Sequence, residues 1–188
     1  MVRTKLGSLM LAAACCAAIL AVPQIAAAQS STFIIPFSRT GAPGVDANGL
    51  PTGAFVNPCT LEFVDVTGSS TITTTQSLKG STLSTSVSVV TKGSGFGWLD
   101  GDLDPLTPVV YPGVITGSSY VFNESQSFTI KSQLGTVVES DFFDKLFMKG
   151  AKSTDNWVVR ARFRLKIGAN GQVQIDLIRI NDGDQCKG

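Results

Sequence analysis

Residues 156–181 read NWVVRARFRLKIGANGQVQIDLIRIN, and this stretch decides the fold. Val159, Ala161, Phe163, Leu165 and Ile167 alternate with Arg160, Arg162, Arg164 and Lys166. That period of two gives one apolar and one cationic face. Beyond Asn170-Gly171 the pattern resumes, with Val173, Ile175 and Leu177 set against Gln172, Gln174 and Asp176. Two such runs joined at Asn-Gly predict a β-hairpin, because both residues tolerate the positive φ of a tight type I′ turn. One hairpin is marginal alone in water, so its apolar face requires a sheet to lie on. Arg179 breaks the alternation: by counting it falls on the apolar face, while Ile178 and Ile180 fall on the polar one. A β-bulge that resets the register is the preferred reading. The other is an inward arginine lining a ligand pocket, paired with Glu62, Glu124 or Glu139. The cationic row reads either as a solvated face that resists edge pairing or as a site for an anion or polyanionic polymer.

Working back along the chain, short strands are expected over Leu61–Thr67, Ser70–Leu78, Thr82–Thr91, Val109–Ile115, Tyr120–Ser132 and Asp141–Lys149. Gly68-Ser69, Lys79-Gly80 and Leu134-Gly135 punctuate them as turns. Asp141–Lys149 has Phe142, Phe143, Leu146 and Phe147 at helical spacing, but Gly135 and Gly150 frame it and strand is preferred. Lys92–Pro108 reads as a long irregular loop. The pattern predicts an all-β fold, a single small antiparallel β-barrel, with a β-sandwich as the alternative.

Residues 1–28 have the features of a cleaved signal peptide: Arg3 and Lys5, an apolar run over Leu6–Val22, then Ala26-Ala27-Ala28. Leu11-Ala12-Ala13-Ala14-Cys15 approaches a lipidation motif, but the residues after Cys15 stay apolar, so ordinary secretion is preferred. Residues 29–56 are rich in Gly and Pro and predict a flexible N-terminal arm, with Ser31–Phe37 docking as an edge strand ended by Pro36. Residues 57–188 form the expected domain. Without the leader the chain carries 13 basic and 14 acidic residues, a balance that favours neither nucleic acid nor an anionic membrane. No stable membrane insertion is expected, and the destination is periplasmic or extracellular. Cys59 and Cys186 remain, and in an oxidising compartment they read as a disulfide.

At Asn57-Pro58-Cys59-Thr60, followed by Glu62 and Val66-Thr67-Gly68, the chain resembles a family of small exported bacterial β-proteins of unassigned function. The resemblance extends through Ser153-Thr154-Asp155-Asn156 and the closing hairpin to the C-terminal cysteine. It implies a secreted β domain with a disulfide and carries over no catalytic residue. The chain departs from the family's pattern at Leu61, where glycine is usual, and in having no histidine in the early strands.

The absence of histidine removes Ser-His-Asp and Cys-His arrangements, so the sequence reads as a binding domain more than an enzyme. Phe96 and Trp98 stand between glycines in the Lys92–Pro108 segment, either stacking on a ligand such as a sugar ring or capping the core. Asp100, Asp102 and Asp104 alternate in the same segment. They read as a solvated acidic loop or, with Asp182-Gly183-Asp184, as oxygen ligands for calcium. No other cofactor is implied. The expected partner is a small-molecule or cell-envelope ligand. A cofactor-free isomerase or cyclase is the first alternative, using Tyr111, Tyr120, Arg179 or a pocket carboxylate. A structural surface-interaction protein is the second.

Overall fold

The computed structural model describes residues 29–47, 51–100, 109, 111 and 113–186, with residues 182–184 described by backbone alone. The expected signal peptide lies outside them. The strands are β1 (Gln29–Arg39), β2 (Gly44–Val45), β3 (Pro51–Thr52), β4 (Phe55–Val56), β5 (Phe63–Lys79), β6 (Thr82–Leu99), β7 (Val114–Gln133), β8 (Val138–Met148), β9 (Trp157–Ile167) and β10 (Val173–Cys186). A five-stranded sheet runs β1-β5-β6-β7, with β4 also on β5; a three-stranded sheet runs β10-β9-β8; β2 and β3 form a small ribbon. Every ladder is antiparallel. The described residues hold no helix long and apolar enough to cross a membrane.

The fold is all-β, and the two main sheets face each other across one core as a sandwich instead of closing as a barrel. Among the described residues β7 and β8 form no ladder, and one isolated bridge joins Val121 of β7 to Lys149, just past the end of β8. Among the described residues no ladder joins β1 to β10. That side is tied by a side chain: Arg39 donates to the carbonyls of Gly53 (2.9 Å) and Ile180 (3.3 Å) while its guanidinium lies 4.1 Å from the centre of the Phe55 ring.

β9 buries Trp157, Val159, Ala161, Phe163, Leu165 and Ile167, the alternate set that the sequence marks as apolar. The ring of Phe163 stacks on Phe142 of β8 at 5.2 Å, and Phe142 meets Phe128 of β7 at 5.0 Å, so the rings span both sheets. Asp141–Lys149 is a strand, as preferred. In β10 the register shifts between Leu177 and Arg179, placing Arg179 opposite Arg162 on the outer face and Ile180 opposite Ala161 in the core. The bulge is therefore real, and the inward-arginine reading is not.

Three expectations change. The hairpin loop is Ala169-Asn170-Gly171, closed by the Gly168 N–H donating to Gln172 O (2.8 Å), and only Gly171 has positive φ (81°). It is a three-residue loop with a left-handed glycine, not a type I′ turn. Asn170 contributes its side chain instead, accepting the Gln172 N–H at 3.0 Å. Secondly, the edge strand expected over Ser31–Phe37 is present but longer: residues 29–39 pair along β5, from Gln29 opposite Gln76 to Arg39 opposite Val66, so this part of the expected arm belongs to the sheet. Pro36 does not end this strand, because an edge strand needs hydrogen bonds on one side only.

Thirdly, glycines expected to break strands lie within them. β5 is continuous through Gly68, and β6 continues through Gly93, Gly95 and Gly97 to Leu99, across the first half of the expected loop. Gly68 and Gly93 are ladder partners. A Cβ on Gly93 would sit 2.2 Å from the Phe122 ring, and one on Gly68 would sit 2.8 Å from both the Phe122 and Phe37 rings. Together the two glycines form a slot in which Phe37 and Phe122 stack 6.0 Å apart.

Candidate functional site

The glycines of β6 fall on every second residue and face inward, so the residues that alternate with them, Ser94 and Phe96 and then Trp98 after Gly97, face outward from the larger sheet. Gly95 makes room for the side chains of Val64 and Val66, and Gly97 for the carboxylate of Glu62, whose atoms would lie 2.7–2.8 Å from an added Cβ. Phe96 and Trp98 are thus strand residues on an outer face, and they do not cap the end of the core.

A cleft of about 180 Å³ forms there, lined by Asp65, Phe96, Gly97, Trp98, Tyr111 and Ile115. Its concavity follows from an irregularity: Phe96 pairs with Ser119 of β7 but Trp98 pairs with Ile115, so β7 bulges over the intervening residues. Gly117, at φ 79°, supplies the turn in that bulge. Trp98 is held by Phe63 at 4.6 Å and by Tyr111, edge-on at 5.4 Å. Trp98 is 4% exposed, whereas Phe96 is 65% and Ile115 75% exposed. Trp98 therefore forms the fixed wall, and Phe96 and Ile115 the open rim.

Asp65 organises the polar side. Its Oδ1 accepts the indole N–H of Trp98 (3.3 Å) and the Gly41 N–H (3.2 Å), and its Oδ2 accepts the Tyr111 hydroxyl (3.0 Å). The hydrogen bond to Asp65 and that carboxylate's charge push the Tyr111 phenol above its ordinary value of 10.0. Both Asp65 oxygens remain at the margin of an apolar cleft, a combination suited to a ligand with one flat face and hydroxyls at its edge.

Beneath the cleft, across the β6 backbone, lies a buried polar knot. The Tyr120 hydroxyl donates to Glu62 Oε1, the Thr116 hydroxyl donates to Glu62 Oε2 (2.9 Å), and Asn57 Nδ2 donates to Tyr120 Oη (2.9 Å). Burial, with the bond to Glu62, pushes the Tyr120 phenol up to about 12. Asn57 also accepts the Cys59 N–H at 2.8 Å, making the Asn-Pro-Cys-Thr segment a side-chain-stabilised turn. The Cys59–Cys186 disulfide closes beside it, Cα atoms 5.4 Å apart, and fits an oxidising compartment. Leu61 follows with φ 60°, the left-handed region that favours glycine.

Of the residues singled out in the sequence, Phe96, Trp98 and Tyr111 come together in the cleft, Tyr120 meets Glu62 beneath it, and Asp100 follows just beyond the end of β6. Asp102 and Asp104 lie outside the described residues, as do the side chains of Asp182 and Asp184. Among the described residues no group of three acidic, Cys or His side chains could hold a metal ion. Arg179 belongs to the other sheet and takes no part in the cleft. The sequence reading missed Asp65 as the organising carboxylate and Ile115 as the rim. The alternation of glycines at 93, 95 and 97 was the available signal, since it carries the strand period through the segment and puts Phe96 and Trp98 on one face. Compared with protein-family models, with curated proteins and with solved structures, the chain matches none.

Proposed function

We propose that this chain is an exported, non-catalytic binding domain. Its ligand is a sugar ring of a small saccharide or cell-envelope glycan, held in the Phe96–Trp98–Tyr111 cleft. The observation that carries this reading is an exposed phenylalanine beside a rigidly held tryptophan, over a carboxylate that already organises the cleft's donors. A sugar ring offers C–H faces to aromatic rings and hydroxyls to a carboxylate edge. The space between the sheets is filled by side chains such as Phe55, Ile72, Trp157 and Phe163, which favours a surface cleft over a ligand held inside.

The test is titration of the disulfide-bonded domain with neutral and acidic mono- and disaccharides, followed by amide chemical shifts. A saturable response at Gly97, Trp98 and Ile115 is expected, weakened by about tenfold or more in Phe96→Ala, on the scale of an aromatic hot spot. Arg179→Ala should retain full affinity. Shifts confined to the three-stranded sheet, or no response to any saccharide, would refute the assignment.

A further inference from the structure

The outer face that carries the cleft continues along the whole of β6. Ladder register aligns its outward residues into rows across four strands. One row is Ser30, Thr75, Ser86 and Thr129; the next is Thr32, Thr73, Ser88 and Ser127. All eight positions are Ser or Thr, and seven of them are exposed, Thr73 being half-buried. Across each row hydroxyls reach one another, as in Thr32 with Thr73 (3.4 Å) and Ser86 with Thr129 (3.2 Å). A shallow depression of about 340 Å³ lies over these rows.

Nothing in the core calls for this composition. Inward residues of the same strands are Ile72, Thr74, Leu83, Val87 and Val89, so the hydroxyls sit where solvation alone would accept any polar or charged residue. Charge is nearly absent: the outward positions between the rows and the cleft are polar or apolar, among them Ile34, Ser69, Thr71, Val90, Lys92, Ser94, Val121, Asn123 and Ser125, with one lysine and no acid. From Ser86 to Trp98 the strand spans about 40 Å at its usual rise.

We infer that the cleft is the end of a longer track, and that the track's ligand is an uncharged polysaccharide chain. The inference rests on the sugar-binding reading of the cleft. Phe96 and Trp98 grip a ring at one end, and the Ser/Thr rows exchange hydrogen bonds with successive hydroxyls along the chain. Each hydroxyl both donates and accepts, so the rows match a polyol without needing one fixed orientation. A polyanion would meet Asp65 at the cleft and, from there to the rows, Lys92 alone, since Lys79 and Lys131 lie beyond the far end of the rows.

The test compares cello-, chito- and malto-oligosaccharide ladders, each from disaccharide to long chain, with polygalacturonate as the anionic control. Two variants are used: Ser86→Arg with Ser127→Arg, and Ser86→Ala with Ser127→Ala should the first not fold. The expected result is affinity that rises with chain length in one neutral series. The row variants should lower long-chain affinity about tenfold or more while leaving the disaccharide unchanged. Ser86→Thr with Ser127→Thr should retain long-chain affinity. Disaccharide binding with no gain from length overturns the track and leaves the cleft standing. Failure of every saccharide to bind overturns both. Dimers that the row variants dissociate would also overturn the track, making the face a self-association surface.

Discussion

On the outer face of the three-stranded sheet the charges answer one another. Asp141 accepts from Arg162 and from Arg164 (3.0 Å), Glu139 meets Lys166 at 3.1 Å, and Phe143 lies 5.8 Å beneath the Arg162 guanidinium. On the outer face of the five-stranded sheet charge gives way to hydroxyls and, at one end, to exposed Phe96 and Ile115 beside Asp65. Both faces cover the same core, yet the first uses its binding capacity internally and the second leaves it open. A row of cations conspicuous in sequence is therefore a poor guide to a site when its ladder neighbours are acidic.

That contrast breaks most readily from behind the open face. Gly93→Ala puts a methyl 2.2 Å from the Phe122 ring and 2.3 Å from the Thr67 carbonyl, so it should cost about 1–3 kcal/mol as an overpacked core does. Ser94→Ala, one residue on and facing out, should stay within about 0.5 kcal/mol. Urea unfolding of both variants measures the difference. Equal effects would mean that the glycine alternation is not what shapes the sheet.

The same comparison explains what the sequence made legible. Regular alternation of large apolar with charged residues identified β9 and the first half of β10, because burial and solvation differ most between such residues. The bulge at Arg179 was legible for the same reason, since an arginine out of phase has few acceptable places. β6 was cut short because glycine carries no hydrophobic signal, and its role there depends on Phe122 and Glu62, distant in sequence. The barrel expectation failed on a property that strand count does not encode: whether the first and last strands meet. Asp65 was missed because a carboxylate in a strand looks like any solvated residue until Trp98, Tyr111 and Gly41 converge on it.

Asp65 gives a sharper test of the open face. Asp65→Asn keeps the shape but replaces one acceptor oxygen with a donor group and removes the charge. It should lower stability by about 1 kcal/mol, as for a hydrogen bond with one partner removed. Tyr111 should then titrate closer to its ordinary value of 10.0, because the charge is gone and any acceptor left to its hydroxyl is a neutral amide oxygen. Ultraviolet titration of the phenols reads this directly, with Tyr120 standing apart at about 12. An unmoved Tyr111 would show that Asp65 is not its partner in solution.

At the corner below the cleft the expected effect is smaller and of opposite sign. Leu61 is 72% exposed and held at φ 60°. Leu61→Gly relieves a left-handed strain of about 1–2 kcal/mol, offset by glycine's greater freedom in the unfolded chain. A net gain of about 0.5–1 kcal/mol in urea unfolding is expected. Destabilisation would mean that the Leu61 side chain has a packing role its exposure does not suggest.

The smallest effect belongs to the self-satisfied face, and its pH dependence separates that face from the core on a single strand. Asp141 and Asp144 are three residues apart on β8, one outward and one inward. Hydrogen bonds from Arg164 and Arg162 lower the Asp141 carboxyl to about 2 from 3.8, so the folded state favours its charged form. Its stabilisation is present above the unfolded value near 4 and is lost as pH falls toward 2. Being exposed, the pair contributes little. Asp144 is buried, and its main polar partner is the Thr91 hydroxyl; desolvation raises its pKa, so the folded state favours the neutral form. Its contribution is fully present below the unfolded value near 4 and is lost as pH rises through the raised folded value. Wild type should therefore exceed Asp141→Asn most at neutral pH, with the gap closing below about pH 4. Against Asp144→Asn, wild type should compare worst at neutral pH and recover on acidification. Urea midpoints across the acid range measure both gaps. If the gaps moved in the same direction with pH, the two faces of β8 would not differ as their burial and partners require.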